Sequence, residues 1–333
     1  MNVAAQCDRQ SLRQGLAGGG AVDWAMGGFL RPGNSVVVTG FWRSGTTFLL
    51  EQLTQLWRAK PVFEPFQPEL PGYRAVLDGL VPATMERGRT DHYFMPYALD
   101  DALARYVSRA LRYRLVDVRI QRSRSNLSAH GRRPRGVPEW VMQHGLAARR
   151  RVVAKFVRGA LLVPALRQRF AVPVFHIRRC PHGVLASYKS AGWQDFQADR
   201  IGLRRLLLEI DDGRAAFFAP MATLIDELDQ GDADQRLVAY WALTEKFVDA
   251  HAQHYIKLPY EALATGEFDL AARLTGAGFD VKRARSEGFN SSTTSAHRAH
   301  LTARERVESW RHKLSAEEIA RVDDIVARVG VSW

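Results

Sequence analysis

The segment "SVVVTGFWRSGTTFLLEQLTQLW", residues 35–57, constrains this chain more than any other. A β-branched run ends at Thr39, a glycine turn follows, and apolar residues then recur at helical spacing through Phe48, Leu49, Leu53 and Leu56. Strand, tight turn and helix together present backbone N–H groups and the positive end of a helix dipole to an anion. Gly40 and Gly45 have the glycine spacing of the phosphate-cradling pattern G-x-x-x-x-G-K-[ST], but Thr46 stands where the lysine would be. The only positive charge in the loop is Arg43. The anion held here must manage without the lysine that grips a terminal phosphate.

The remaining chain supplies the sheet that such a loop needs. Short strands are predicted over 60–66, 150–157 and 172–178 and in "HYIKLPYEALA", with helical stretches between them. The last helix opens on Ser315 with Glu318 three residues on, a capping box. Strands alternating with helices predict a parallel sheet covered on both faces. The expected fold is therefore a three-layer α/β/α domain with P-loop NTPase-like topology. Residues 1–33 read as a flexible leader and 34–333 as one domain with an insertion at about 66–140.

With 46% hydrophobic and 25% charged residues, the 333-residue chain has the balance of a soluble globular protein. It has no apolar run long enough for a membrane span, and its N-terminus lacks the order of a secretion signal. Cys7 and Cys180 have no metal-ligand spacing, so no metal is expected and the setting is taken as cytoplasmic. The net charge of +12 reflects abundant arginine, since only seven of 47 basic residues are lysine, and nucleic acid is not expected as a partner. One cluster stands apart: Arg119, Arg122, Arg124, Arg132, Arg133 and Arg135 share a loop-like stretch with no acidic residue.

A second segment, "VFHIRRCPHGVLASYKS", places Arg179, Pro181 and Ser187 at offsets zero, two and eight, where a strand passes into a helix. Together with "RSGTT" it resembles the sulfotransferase family that uses 3′-phosphoadenosine 5′-phosphosulfate (PAPS). "KLPYEAL" and "VESWRHKLS" resemble that family's late strand and C-terminal segment. The resemblance implies that Arg43, Ser44, Gly45, Thr46 and Thr47 hold the 5′-phosphosulfate, and that Arg179 and Ser187 hold the 3′-phosphate. Phe48 stands where many members set an aromatic against adenine, though it suits the core equally. Cys180 and Gly183 depart from the family's usual residues. A sulfuryl group carries less charge than a terminal phosphate, so one bidentate guanidinium and a helix N-terminus can suffice without magnesium.

An attacking hydroxyl must lose a proton, so a base belongs nearby. The family's usual histidine, two residues beyond a third-strand lysine, is replaced here by Val157 after Lys155. The branch that includes carbohydrate and protein-tyrosine sulfotransferases uses a glutamate after the second strand, which corresponds to Glu64 in "VFEPF". Phe63, Pro65 and Phe66 around it predict a desolvated carboxyl with a raised pKa. Lys155, and secondarily Arg158, are candidates for stabilising transition-state charge. Asp91, His92 and His144 are the other candidate bases, although His92, His144 and His176 also suit structural or surface roles. His297, Arg298, Arg304 and Arg306 are candidates to close over the 3′-phosphate, Arg298 first. The Phe-Glu-Pro context resembles the carbohydrate sulfotransferases in particular. The expected reaction therefore passes a sulfuryl group to a hydroxyl of a small-molecule or glycan acceptor, a carbohydrate or glycosylated metabolite, and leaves adenosine 3′,5′-bisphosphate. Aromatics in 66–140 suit stacking on the acceptor, and the arginine cluster suits an anionic one. The alternatives are a P-loop kinase or hydrolase, a protein-tyrosine sulfotransferase, and a polyanion binder.

Overall fold

The computed structural model describes residues 35–57, 59–81, 92–115, 151–191, 201–276, 278–281 and 302–333. Residues 1–33, Asp91, the arginine cluster, His144, His297 and Arg298 lie outside these.

The chain runs β1 (Ser35–Thr39), α1 (Thr46–Trp57), β2 (Lys60–Phe63), α2 (Pro71–Leu80), α3 (Asp101–Leu111) and β3 (Val152–Lys155). It continues through α4 (Val163–Phe170), β4 (Val174–Arg178), α5 (Pro181–Lys189), α6 (Leu203–Leu207), α7 (Ala215–Phe218), α8 (Ala222–Asp229) and α9 (Ala233–Ala250). Last come β5 (Ile256–Pro259), α10 (Tyr260–Thr265), α11 (Leu270–Gly276), α12 (Ala303–Glu308) and α13 (Ala316–Val329). The five strands form one parallel sheet in the order β2-β3-β1-β4-β5. Central β1 pairs Ser35 with Val152 of β3 and Thr39 with His176 of β4. The strand order reverses at β1, and in open parallel sheets the crevice beyond the carboxyl ends at such a point is where ligands bind.

Alternate residues of each strand serve two cores. Val37, Val62, Val152, Ala154 and Val174 join the larger one with residues of α3, α9 and α13. Val36, Val38, Val153, Phe175 and Ile177 face the other, against Leu49, Leu50, Leu53 and Leu56 of α1 and Leu270 and Leu274 of α11. The three-layer arrangement expected from the sequence is present. The helix α1 opens on Thr46, Thr47 and Phe48, which are indifferent helix formers. Four buried leucines at about 2 kcal/mol each outweigh that by a wide margin. Ser315 caps α13 with Glu318 as expected. Three strands are shorter than predicted, and of these β4 begins only at Val174. β2 stops at Phe63 because Glu64 adopts a left-handed φ of 47°, and β3 gives way after Lys155 to a 3-10 turn over Val157–Gly159. Among the described residues, no helix is long and apolar enough to cross a membrane.

Candidate active site

The carboxyl ends of β1, β2, β3 and β4 meet at one edge of the sheet. The loop after β1 turns on Arg43, whose φ is 66°, and on Gly45, whose φ is 91°. A side chain at Gly45 would begin 2.4 Å from the ring of Tyr260, so the residue must be glycine on both counts. α1 then starts with the Leu49 amide bonded to the Gly45 carbonyl at 3.0 Å. The amides of its first turn have no acceptor within the helix.

Three chain segments interlock around this loop. Arg43 Nε donates to Ser187 Oγ at 3.0 Å, and Arg179 Nη1 donates to the Arg43 carbonyl at 3.0 Å. The Arg179 guanidinium lies 4.6 Å from the centroid of the Tyr260 ring. Ser44 Oγ and Arg179 Nε are buried with no hydrogen-bond partner in the described structure. Buried polar atoms left without partners call for an explanation, and hydroxyl, guanidinium and helix-start amides side by side form a donor set suited to phosphate or sulfate oxygens. The residues thus fit a phosphate or sulfate group such as PAPS carries. The departures at 180 and 183 are accommodated locally. Cys180 Sγ accepts the Gly183 amide at 3.3 Å, and a side chain at Gly183 would crowd Arg179 Nε at 2.8 Å. Burial, and then Glu261, push the Cys180 thiol up to about 12, so it caps α5 as a neutral group. The Glu261 carboxylate accepts the Cys180 amide at 2.9 Å.

On the other side of the loop, β3 delivers the cation that the loop lacks. Lys155 Nζ donates to Thr47 Oγ1 at 2.9 Å and to Glu64 Oε1 at 2.6 Å. Its side chain is 1% exposed, so it is no solvent-seeking strand-end lysine, and it sits 3.5 Å from the centroid of the Phe63 ring. Arg158, equally buried, places Nη1 3.9 Å from Glu64 Oε2. Burial pushes the Glu64 carboxyl upward, but Lys155, Arg158 and Arg43 outweigh it and hold the pKa below the usual carboxylate range. The expected raised pKa is therefore wrong: the apolar sequence neighbours are overruled by cations from β3 and the β1 loop. Burial, first of all, pushes the Lys155 ammonium below its ordinary value against the pull of Glu64.

The structure thus brings together Arg43, Ser44, Gly45, Thr47, Lys155, Glu64, Arg179 and Ser187. Thr46 is buried at the start of α1. Phe48 is half-buried, edge-on to Tyr260 with centroids 6.2 Å apart. His176 is buried and paired with Glu245, a structural role. His92 is mostly buried, with Nδ1 3.4 Å from Glu69 Oε1. Arg304 pairs with Glu308 on the exposed side of α12. The aromatics expected to stack on an acceptor are mostly core instead: Tyr73, Tyr93, Phe94 and Tyr106 are buried. Tyr260 beside Gly45 and Arg179, and the linking place of Arg158, are not among the features the sequence points to. Only the Tyr-Glu pair in "KLPYEAL" could have signalled the first.

No family model and no curated protein matches the chain. Among solved structures, it aligns with a sulfotransferase domain from the curacin biosynthetic pathway over 90% of this chain and 98% of that one, at 14% identity and a TM-score of 0.43. A likeness this distant identifies neither a family nor a substrate, and the functional reading rests on the site itself.

Proposed function

We propose that this protein transfers the sulfuryl group of PAPS to a hydroxyl of a carbohydrate or glycosylated metabolite. One observation carries the reading. At a single sheet edge, a lysine-less phosphate loop interlocked with Arg179 and Ser187 adjoins a buried lysine that touches both the loop's Thr47 and the carboxylate of Glu64. An anion cradle, a carboxylate able to accept a proton and a cation between them are the parts that sulfuryl transfer needs.

In this reading the loop amides, Ser44 and Arg43 hold the 5′-phosphosulfate, and Arg179 with Ser187 holds the 3′-phosphate. Glu64 takes the proton of the acceptor hydroxyl as its oxygen bonds to sulfur. The bond from sulfur to the nucleotide phosphate oxygen breaks with its electron pair left on the phosphate, where Lys155 and Arg43 neutralise the charge. Lys155 shared with that oxygen binds Glu64 less tightly, which makes the carboxylate a stronger base when the proton must move. The carbohydrate class rests on the likeness of "VFEPF" to that branch of the family.

Thermal melting tests the reading, because a ligand of the native state raises the midpoint. Adenosine 3′,5′-bisphosphate without metal should raise it. A rise with ATP and magnesium but not with the bisphosphate overturns the proposal. Glu64→Gln should lower sulfuryl turnover by roughly 10²-fold with donor affinity nearly unchanged.

A further inference from the structure

Arg158 stands in the turn after β3, with a side chain 1% exposed. A guanidinium buried this deeply has to be met by acceptors, counter-charges and π faces. Three elements meet on it. Nε donates to the His92 carbonyl at 2.7 Å, the Trp42 ring centroid lies 5.6 Å from Cζ, and Nη1 is 3.9 Å from Glu64 Oε2. Trp42 adjoins Arg43 in the β1 loop, so the same side chain touches the loop, the carboxylate and the segment ahead of α3.

The His92 contact belongs to a set. The Tyr240 hydroxyl donates to the Tyr93 carbonyl at 2.7 Å, and Arg214 Nη2 donates to the Met95 carbonyl at 2.7 Å. Segment 92–95 joins no strand of the sheet, yet side chains from the β3 turn, α9 and the start of α7 hold its carbonyls. Arg158 is the member of this set that also reaches the carboxylate.

We infer that Arg158 is a positioning residue that ties Glu64 to the β1 loop through Trp42 and to the clamped segment 92–95 through His92. The inference deepens the proposed reaction and rests on Glu64 being its base. At 3.9 Å the Arg158–Glu64 contact is an ion pair and not a hydrogen bond. It orients the carboxylate by charge and leaves Oε2 open to accept a proton, while Lys155 occupies Oε1. The charged groups facing Glu64 are Lys155 from β3, Arg158 from the turn and Arg43 from the β1 loop, with Glu51 of α1 acting through Lys155.

The test is a titration of Glu64 in the full chain, labelled with ¹³C at glutamate Cδ, with the resonance assigned by its loss in Glu64→Gln. Arg158→Met should move the Glu64 midpoint to higher pH, because one of the cations holding it low is gone. Calorimetric affinity for adenosine 3′,5′-bisphosphate should stay within about twofold, since His92, Trp42 and Glu64, which Arg158 meets, are not among the residues assigned to the nucleotide. Arg158→Gln keeps an amide able to reach the His92 carbonyl without the charge. It gives the same test should the methionine variant not fold. A Glu64 midpoint unchanged in the folded variant makes Arg158 merely structural and overturns the inference. The titration needs no turnover, so it fails or succeeds independently of the sulfotransferase assignment.

Discussion

Taking the charge from Glu64 leaves Lys155 in the core beside an amide. Lys155 is 1% exposed with Nζ 2.6 Å from Glu64 Oε1. Removing one partner of a fully buried pair costs about 3–5 kcal/mol. Glu64 retains 21% exposure, and glutamine can still accept the lysine hydrogen bond, so the expected loss for Glu64→Gln is about 2 kcal/mol. Lys155→Met should cost only about 1 kcal/mol, because Glu64 keeps solvent and Arg158. The double variant removes both charges and should fall short of the sum by about 1–2 kcal/mol, the coupling expected of residues in contact. Urea denaturation at neutral pH reads all three, with the slope unchanged if the unfolded state is unaffected. The pH dependence has a definite sign. Burial pushes Glu64 up, but Lys155, Arg158 and Arg43 prevail and its folded pKa is depressed. A depressed carboxyl stabilises the fold fully above its unfolded pKa, near about 4.3, and the contribution is lost as pH falls through the folded value. The gap between parent and Glu64→Gln should therefore be complete at neutral pH and close in acid. Strictly additive losses at pH 7, or a gap that persists unchanged into acid, would refute this account of the pair.

Arg179→Ala should weaken adenosine 3′,5′-bisphosphate binding by about 2 kcal/mol in calorimetry. An equal loss for adenosine 5′-phosphosulfate, which lacks the 3′-phosphate, would make Arg179 structural. Gly45→Ala forces a side chain into a left-handed φ and against Tyr260, displacing the ring from Arg179. The denaturation midpoint should fall by the equivalent of about 2 kcal/mol, and an unchanged midpoint would show that the ring yields freely. Glu245→Gln breaks a fully buried carboxylate bonded to His176 and Arg178 and should cost about 3 kcal/mol in urea. A loss under about 1 kcal/mol would mean water reaches that network.

The parts of the site legible in the sequence are those that local geometry determines. A glycine turn between β1 and α1 sets the offsets of Arg43, Ser44 and Thr47, and one helix sets the offset from Arg179 to Ser187. The relation between Lys155 and Glu64 is of another kind. They touch across 91 positions because β3 lies beside β2, which no spacing rule reveals. For the same reason the sequence neighbours of Glu64 predict a raised pKa where the fold lowers it. Phe63, Pro65 and Phe66 predict an apolar pocket, whereas the groups that decide it arrive from other strands. The aromatics of 66–140 misled in the opposite direction. They suit stacking on an acceptor, but Arg158, Tyr240 and Arg214 satisfy the backbone of 92–95 from inside and let Tyr93 and Phe94 enter the core.

The central place of β1 has a consequence for how the molecule comes into being. Its site contacts span 108 positions from Thr47 to Lys155 and 144 from Arg43 to Ser187. During synthesis at roughly 5–20 residues per second, the valine-rich strand waits on the order of ten seconds for both neighbours. Contacts of such high order form slowly, and until then two open edges offer themselves to any other nascent chain. Yield of native protein should therefore respond to translation speed and to chaperone supply more than to the stability of the finished fold.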